Sequence, residues 1–296
     1  MSYAKYLYLI GNGFDLHHSI KSSYKDFMEW LMFNNRVLYT RLVQTYELYC
    51  CDFWSNLEIK LGEIPFEAIQ NDNYSSPFLI ENSLSTVSFD CGEVAGEIGI
   101  KLKYLYWELQ ECLRVWVENL NQYDASQKLR IDTTDSLFIV FNYTNTLQTL
   151  YKVSNSCIFH IHGNAKSDDE LIFGHNKCKE DILKGWNLYD SKEIEIDINS
   201  ISEELMILYK DTNKIISENQ AIWNRLSKIE KIYVYGLSIS EIDEPYIYHI
   251  ATILPNVSWK FSWYKEEDKN RIYKTLKKLG IVNFSFIKLN DIILNK

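Results

Sequence analysis

Short apolar runs that stop at glycine, asparagine or histidine alternate along this chain with longer stretches of helical period. Tyr6-Leu7-Tyr8-Leu9-Ile10 is apolar and β-prone and ends at Gly11, which predicts a buried central strand. Leu137–Phe141 and Cys157–Ile161 repeat the pattern and run into Asn142-Tyr143-Thr144 and His162-Gly163. A short strand is predicted over Leu171-Ile172-Phe173, before Gly174-His175. Lys231–Tyr235 ends at Gly236-Leu237-Ser238, and two more strands are predicted over 257–263 and 283–288.

The helical signals lie between them. Ser23 is a candidate cap for a helix whose stripe is Tyr24, Phe27, Met28 and Leu31, with Asp26 three residues on as in a capping box. Phe53-Trp54-x-x-Leu57-Glu58-x-x-Leu61 keeps a helical period and stops at Gly62, and the polar stretch 71–88 reads as a surface loop. Val94, Ile98, Leu102, Leu105, Leu109, Leu113, Trp116 and Leu120 predict one long amphipathic helix, on the order of 40 Å at 1.5 Å per residue. Leu205, Leu208, Thr212, Ile215, Asn219, Ile222 and Leu226 predict another, capped by Ser202, and further helices are expected over 241–253 and 266–279. Strands alternating with helices give an α/β fold: a Rossmann-like, doubly wound, mostly parallel sheet. The helical block 34–121 is too large for one crossover, so it is read as an inserted lobe on a core formed by 1–33 and 122–296.

Composition narrows the function classes. Lys plus Arg is 31 and Asp plus Glu is 40, so the net charge is 31 − 40 = −9. Such a field offers no general attraction for a phosphate backbone, and no nucleic-acid partner is expected. No apolar run approaches the roughly 18 residues of a membrane span, and Tyr6–Ile10 is too short for a signal peptide. The expectation is a cytoplasmic protein without a membrane partner. The cysteines at 50, 51, 91, 112, 157 and 178 contain no C-x-x-C pair, so they read as reduced thiols rather than as a zinc ribbon or a disulfide framework.

Each polar motif falls just after a predicted strand, where open α/β sheets place their ligands. Gly11-Asn12-Gly13-Phe14-Asp15 is either a tight strand–helix turn or a loop whose amides face a phosphate, with Asp15 on a ribose hydroxyl. Asn142 can hold a sugar hydroxyl or a water through an amide that both donates and accepts, or it can cap the next helix. His160 and His162 share one face of a strand. An imidazole there is either a structural hydrogen-bonding group or a general base near neutral pH. A metal would need a third ligand such as His175 or Asp169. Gly236-Leu237-Ser238 could close over a nucleotide, while Ser240 or Asp243 could simply cap the following helix.

Taken together these residues resemble a known family. Leu9-Ile10-Gly11-Asn12-Gly13-Phe14-Asp15-Leu16 and Ser23-Tyr24-x-x-Phe27 are similar to the opening of the AbiH proteins, bacterial abortive-infection proteins implicated in phage resistance. Trp54-x-x-Leu57-Glu58-x-x-Leu61-Gly62, Phe141-Asn142-Tyr143-Thr144, His162-Gly163 and Gly236-x-Ser238-x-x-x-x-Asp243 continue the likeness in order. AbiH proteins in turn resemble sirtuin-type domains, especially defence members that hydrolyse NAD. That resemblance implies His162 and Asn142 as catalytic residues, and Gly11, Asn12, Gly13, Phe14, Asp15, Thr144, Gly236, Ser238 and Asp243 around the cofactor. The sequence departs from the pattern at Thr144, where an Asp is usual, and at Asn12, and it lacks the zinc-binding Cys quartet of deacetylating sirtuins. The implied activity is cleavage of the nicotinamide–ribose bond of NAD, with no metal. The alternatives are a nucleotide or phage-component sensor without chemistry, and a metal-dependent nuclease using His160, His162 and His175. A phage-encoded trigger and a homo-oligomer are the partners such a defence protein would have besides its small-molecule nucleotide.

Overall fold

Tyr6–Ile10 forms β1, the strand with neighbours on both sides, which is why it is apolar throughout. The computed structural model describes residues 4–46, 54, 56–65, 68–69, 91–120, 123–185 and 202–294. β2 (Ser136–Val140) and β3 (Ile158–His160) lie to one side of β1. β4 (Lys231–Tyr235), β5 (Ser258–Ser262) and β6 (Phe284–Ile287) lie to the other. The order β3-β2-β1-β4-β5-β6 is parallel at every pairing, with Ile10 beside Val140 and Tyr235. This is the Rossmann-like arrangement the alternation predicts. The chain leaves β1 toward one edge and later returns to build the other, so the carboxyl end between β1 and β4 is a topological switch point.

Among the described helices are α1 (Asn12–His17), α2 (Tyr24–Asn34), α3 (Arg36–Tyr46), α4 (Leu57–Leu61), α5 (Cys91–Glu118), α6 (Thr146–Tyr151), α7 (Thr212–Glu218), α8 (Glu244–Ile253) and α9 (Glu266–Lys278), with another over Lys179–Gly185. The chain forms two compact units. The first is Met1–Ser23, Val117–Leu171 and Asp211–Lys296 and holds the sheet; the second is Tyr24–Trp116 with Ile172–Lys210. In the first unit Tyr8, Phe138, Val140, Phe14, Leu147, Leu150 and Tyr151 pack one face of the sheet, with Tyr8 stacked between Phe138 and Tyr233 at 5.1 and 4.8 Å. Each ring so buried contributes about 2 kcal/mol by area. In the second unit the stripe Ile98, Leu102, Leu105, Leu109, Leu113 and Trp116 of α5 is buried as its spacing predicts.

Two sequence expectations fail. Leu171–Phe173 is not a strand; the neighbouring His175 makes only an isolated bridge to Tyr209. The long helix expected over 205–226 is broken. Asp211 accepts from the Lys214 amide and starts α7 anew, and the Asn219 side chain bonds the Ile215 carbonyl and ends it. Asp and Asn compete locally with the helix ladder, which a count of apolar spacings does not register. The loop expected over 71–88 lies outside the described residues. Among the described residues no helix is long and apolar enough to cross a membrane.

Candidate functional site

The loops that follow β1, β2, β3 and β4 all open at the carboxyl end of the sheet, and the first and second are tied by a buried carboxylate. Asp15 sits in the middle of α1 with no solvent exposure. Its Oδ2 accepts from Asn142 Nδ2 at 2.9 Å and from Thr144 Oγ1 at 2.6 Å, and its Oδ1 accepts from Thr146 Oγ1 at 2.6 Å. Burial pushes this carboxyl up to about 6, although the three donors pull it down. The sequence pattern gives Asp15 either to a ribose or to the residues that support the site; in the structure it holds the β2 loop. Thr144, standing where the sirtuin-type pattern has an Asp, supplies a hydroxyl to a carboxylate that comes from α1.

The glycines do a different job from the one expected of a phosphate loop. The Gly11 amide donates to the Tyr235 carbonyl at 3.0 Å, Gly13 to Gly236 at 2.7 Å, and Phe14 to Gly11 at 2.9 Å. These amides are therefore spent inside the protein and do not face a ligand. A Cβ on Gly11 would lie 2.5 Å from Leu237 Cα, and one on Gly236 would lie 2.0 Å from the Phe14 nitrogen. Gly is required because the turns after β1 and β4 touch backbone to backbone. Phe14 is likewise no ligand contact: it is fully buried, with its ring 4.6 Å from that of His18. Asn12 remains exposed, but its amide is engaged with Ser22, donating to the carbonyl at 2.9 Å and accepting from the hydroxyl at 2.6 Å.

The turn after β4 is left-handed twice, at Gly236 (φ 66°) and at Ile239 (φ 51°). A β-branched residue in that region costs on the order of 1–3 kcal/mol, here held by the burial of Leu237 and Ile239. Ser238 stands exposed between them. Asp243 precedes α8 without capping it; its Oδ2 accepts from Ser240 Oγ at 2.9 Å.

The two histidines after β3 part company. His160 sets Nδ1 against the Asn142 carbonyl at 3.1 Å and Nε2 against Gln148 Nε2 at 2.9 Å. A carbonyl only accepts and the Gln amide nitrogen only donates, so the proton sits on Nδ1 and the ring is a structural bracket. Burial lowers its pKa. His162 sets Nδ1 3.3 Å from the Phe141 carbonyl, which fixes the same tautomer and leaves the lone pair on Nε2. It is 2% exposed, with its ring 5.5 Å from Phe141 and 5.6 Å from Tyr246, both edge-on. The open hollow expected around this imidazole is thus closed by two aromatic rings. The cavity described in this unit, about 510 Å³, lies elsewhere, lined by Lys128–Thr133, Tyr151 and Leu294.

The family described as Bacteriophage abortive infection AbiH matches this chain over residues 7–263. The chain belongs to the AbiH family. No curated protein matches it. The matched span of this AbiH protein contains each of the loops just described, together with Glu58 and Gly62, which lie in the second unit. There Glu58 pairs with the buried Lys210 at 3.4 Å and also accepts from the Gly174 amide, while a Cβ on Gly62 would meet the His175 ring at 2.9 Å. Thr146, Gln148 and Tyr246 touch Asp15, His160 and His162, and sequence reasoning gave none of the three a role. Thr146 had a readable signal, as the last of five consecutive hydroxyl or amide residues, Asn142–Thr146, after a strand; Tyr246 on α8 had none.

Proposed function

We propose that this AbiH protein is a phage-defence hydrolase that cleaves the nicotinamide–ribose bond of NAD above β1 and β4, and that the structure described is its closed, resting form. Membership of the abortive-infection family supplies the defence context. The observation that carries the chemistry is the paired fixing of Asn142 and His162: the amide is held by Asp15 and the imidazole by the Phe141 carbonyl. Nicotinamide departs neutral with the bonding pair, leaving an oxocarbenium-like ribosyl centre. Asn142 orients the ribose or the attacking water, and His162 Nε2 takes the proton that water releases as it bonds to the ribosyl carbon. The products are nicotinamide, ADP-ribose and one proton. Ser238 and Asn12, both exposed, would meet the adenosine ribose and the phosphates, together with Asp243. Phe141 and Tyr246 keep His162 covered until a substrate or a phage-derived trigger shifts α8, as an enzyme that drains a central nucleotide must be held off before infection.

Nicotinamide release from purified protein, alone and with phage lysate, tests this. His162→Ala and Asn142→Ala should each lower release at least 100-fold. Absence of release from the unmodified protein under every condition removes the hydrolase reading. The closed imidazole and the internally spent glycine amides favour a second reading, a nucleotide sensor without turnover. Calorimetry with NAD and ADP-ribose separates the two, because a sensor binds its ligand without consuming it.

A further inference from the structure

We propose that Asp15 is a positioning residue, which fixes the Asn142 amide in the one orientation that turns its carbonyl oxygen away from α1 and toward the reacting groups. The proposal rests on the hydrolase reading of the same site. An ionised carboxylate only accepts, so the group of Asn142 that meets Asp15 Oδ2 at 2.9 Å must be the NH2, and Oδ1 is set opposite. The other end of the residue is held as well, since the Asn142 carbonyl receives His160 Nδ1 at 3.1 Å. With backbone and amide both gripped, Asn142 has neither a rotamer nor a flip available while Asp15 is charged. Thr144 shares Oδ2 with it, whereas Thr146 bonds the far oxygen, Oδ1.

The grip is conditional on charge. A protonated Asp15 carries a donor of its own, which a threonine hydroxyl or the Asn142 oxygen can accept, so the carboxyl no longer dictates which way the amide faces. Burial places the carboxyl at about 6, with the three hydrogen bonds opposing it. The titratable groups on the surrounding elements are His17 of α1, His18 just after it, Tyr151 of α6, His160 at the end of β3 and His162 beyond it. His17 is held to the Gln127 carbonyl at 2.9 Å, and His18 to the Phe14 carbonyl and the Tyr151 hydroxyl at 2.7 and 2.8 Å. His160 faces the Asn142 carbonyl and Gln148, and His162 faces the Phe141 carbonyl.

The test uses the full chain and two readouts. The first is the side-chain NH2 resonance pair of Asn142 in nitrogen-15 spectra, assigned by its loss in Asn142→Ala. It should be slow to exchange and should shift with a midpoint near pH 6 in the unmodified protein, and this shift should vanish in Asp15→Asn. The second is steady-state NAD cleavage. Asp15→Asn should lower kcat at least 100-fold with KM changed less than threefold, and should abolish the acid limb of the pH profile. Tyr151→Phe, which removes hydroxyl bonds to His18 and to the Leu129 amide without touching Asp15 or Asn142, should stay within threefold of the unmodified kcat. An Asn142 resonance pair that ignores Asp15→Asn overturns the positioning role, as does equal loss of kcat in Asp15→Asn and Tyr151→Phe, which would mark mere loop stability. If the resonances behave as expected but no NAD is cleaved, the hydrolase reading falls and the Asp15–Asn142 coupling stands.

Discussion

Two halves of one five-residue motif hold the sheet's carboxyl end together by opposite means. Gly11 and Gly13 act through the absence of a side chain: their backbone lies against the Gly236-Leu237 turn, joining the end of β1 to the end of β4. Asp15, two residues on, acts through a charge and joins β1 to the loop after β2. The first joint is made of neutral peptide groups at fixed distance and is indifferent to pH. The second consists of an anion withdrawn from water and held by neutral donors, so it titrates near the physiological range. A motif that reads as a ligand loop is therefore first a mechanical joint, and only its charged half can report on conditions.

The comparison breaks most easily at the glycine joint. Gly236→Ala places a methyl 2.0 Å from the Phe14 nitrogen in a backbone of φ 66°, so sterics and left-handed strain add. The expected cost is about 4 kcal/mol, equally at pH 5 and pH 8. That corresponds to a fall in Tm of about 10 °C by differential scanning fluorimetry. A fall under about 3 °C would mean that the two turns do not touch as described.

Asp15 gives the next largest effect, with the opposite pH behaviour. Its folded pKa of about 6 lies above the ordinary 3.8, so the ionised form costs stability, in full above pH 6. The cost is relieved as pH falls from 6 toward 3.8. Between pH 7 and 4.5 the unmodified protein should therefore gain about 2 kcal/mol relative to Asp15→Asn, which carries no such proton. Denaturant midpoints for the pair at the two pH values measure this. A constant difference would show that Asp15 does not bind its proton in the folded state. Stability thus improves on acidification over the range in which the positioning of Asn142 fails, and a purely structural carboxylate would not produce that divergence.

Much of this was legible in the chain, and the illegible parts share a cause. β1 showed itself because a strand buried on both faces is apolar at every position, and α5 because its stripe keeps period over the six buried residues from Ile98 to Trp116. The carboxyl-end placement of Asn142, His162 and Ser238 followed from the strand ends. The partner of each was not readable. Asp15 looked like a ribose contact because nothing local shows that residues 142, 144 and 146, more than a hundred positions on, would surround it. The glycines looked like a phosphate loop because a turn that approaches a ligand and one that approaches another turn need the same residue. His160 and His162 are identical in local pattern and differ only in what lies across from Nε2 and the ring face, Gln148 for one and the edges of Phe141 and Tyr246 for the other.

The smallest effect is the most selective probe of the charged joint. Thr146→Val keeps the shape of the side chain and removes one neutral donor from Asp15 Oδ1. Loss of one such bond costs about 1 kcal/mol at pH 8, where the carboxylate is ionised. The lost donor favoured the ionised form, so its removal moves the carboxyl further up, and part of the cost disappears as Asp15 takes its proton. The destabilisation should therefore shrink on going from pH 8 to pH 5, while that of Gly236→Ala does not change. Paired denaturant melts of both variants at the two pH values read this directly. Parallel behaviour of the two would mean that both joints are neutral, and that the buried carboxylate is protonated throughout.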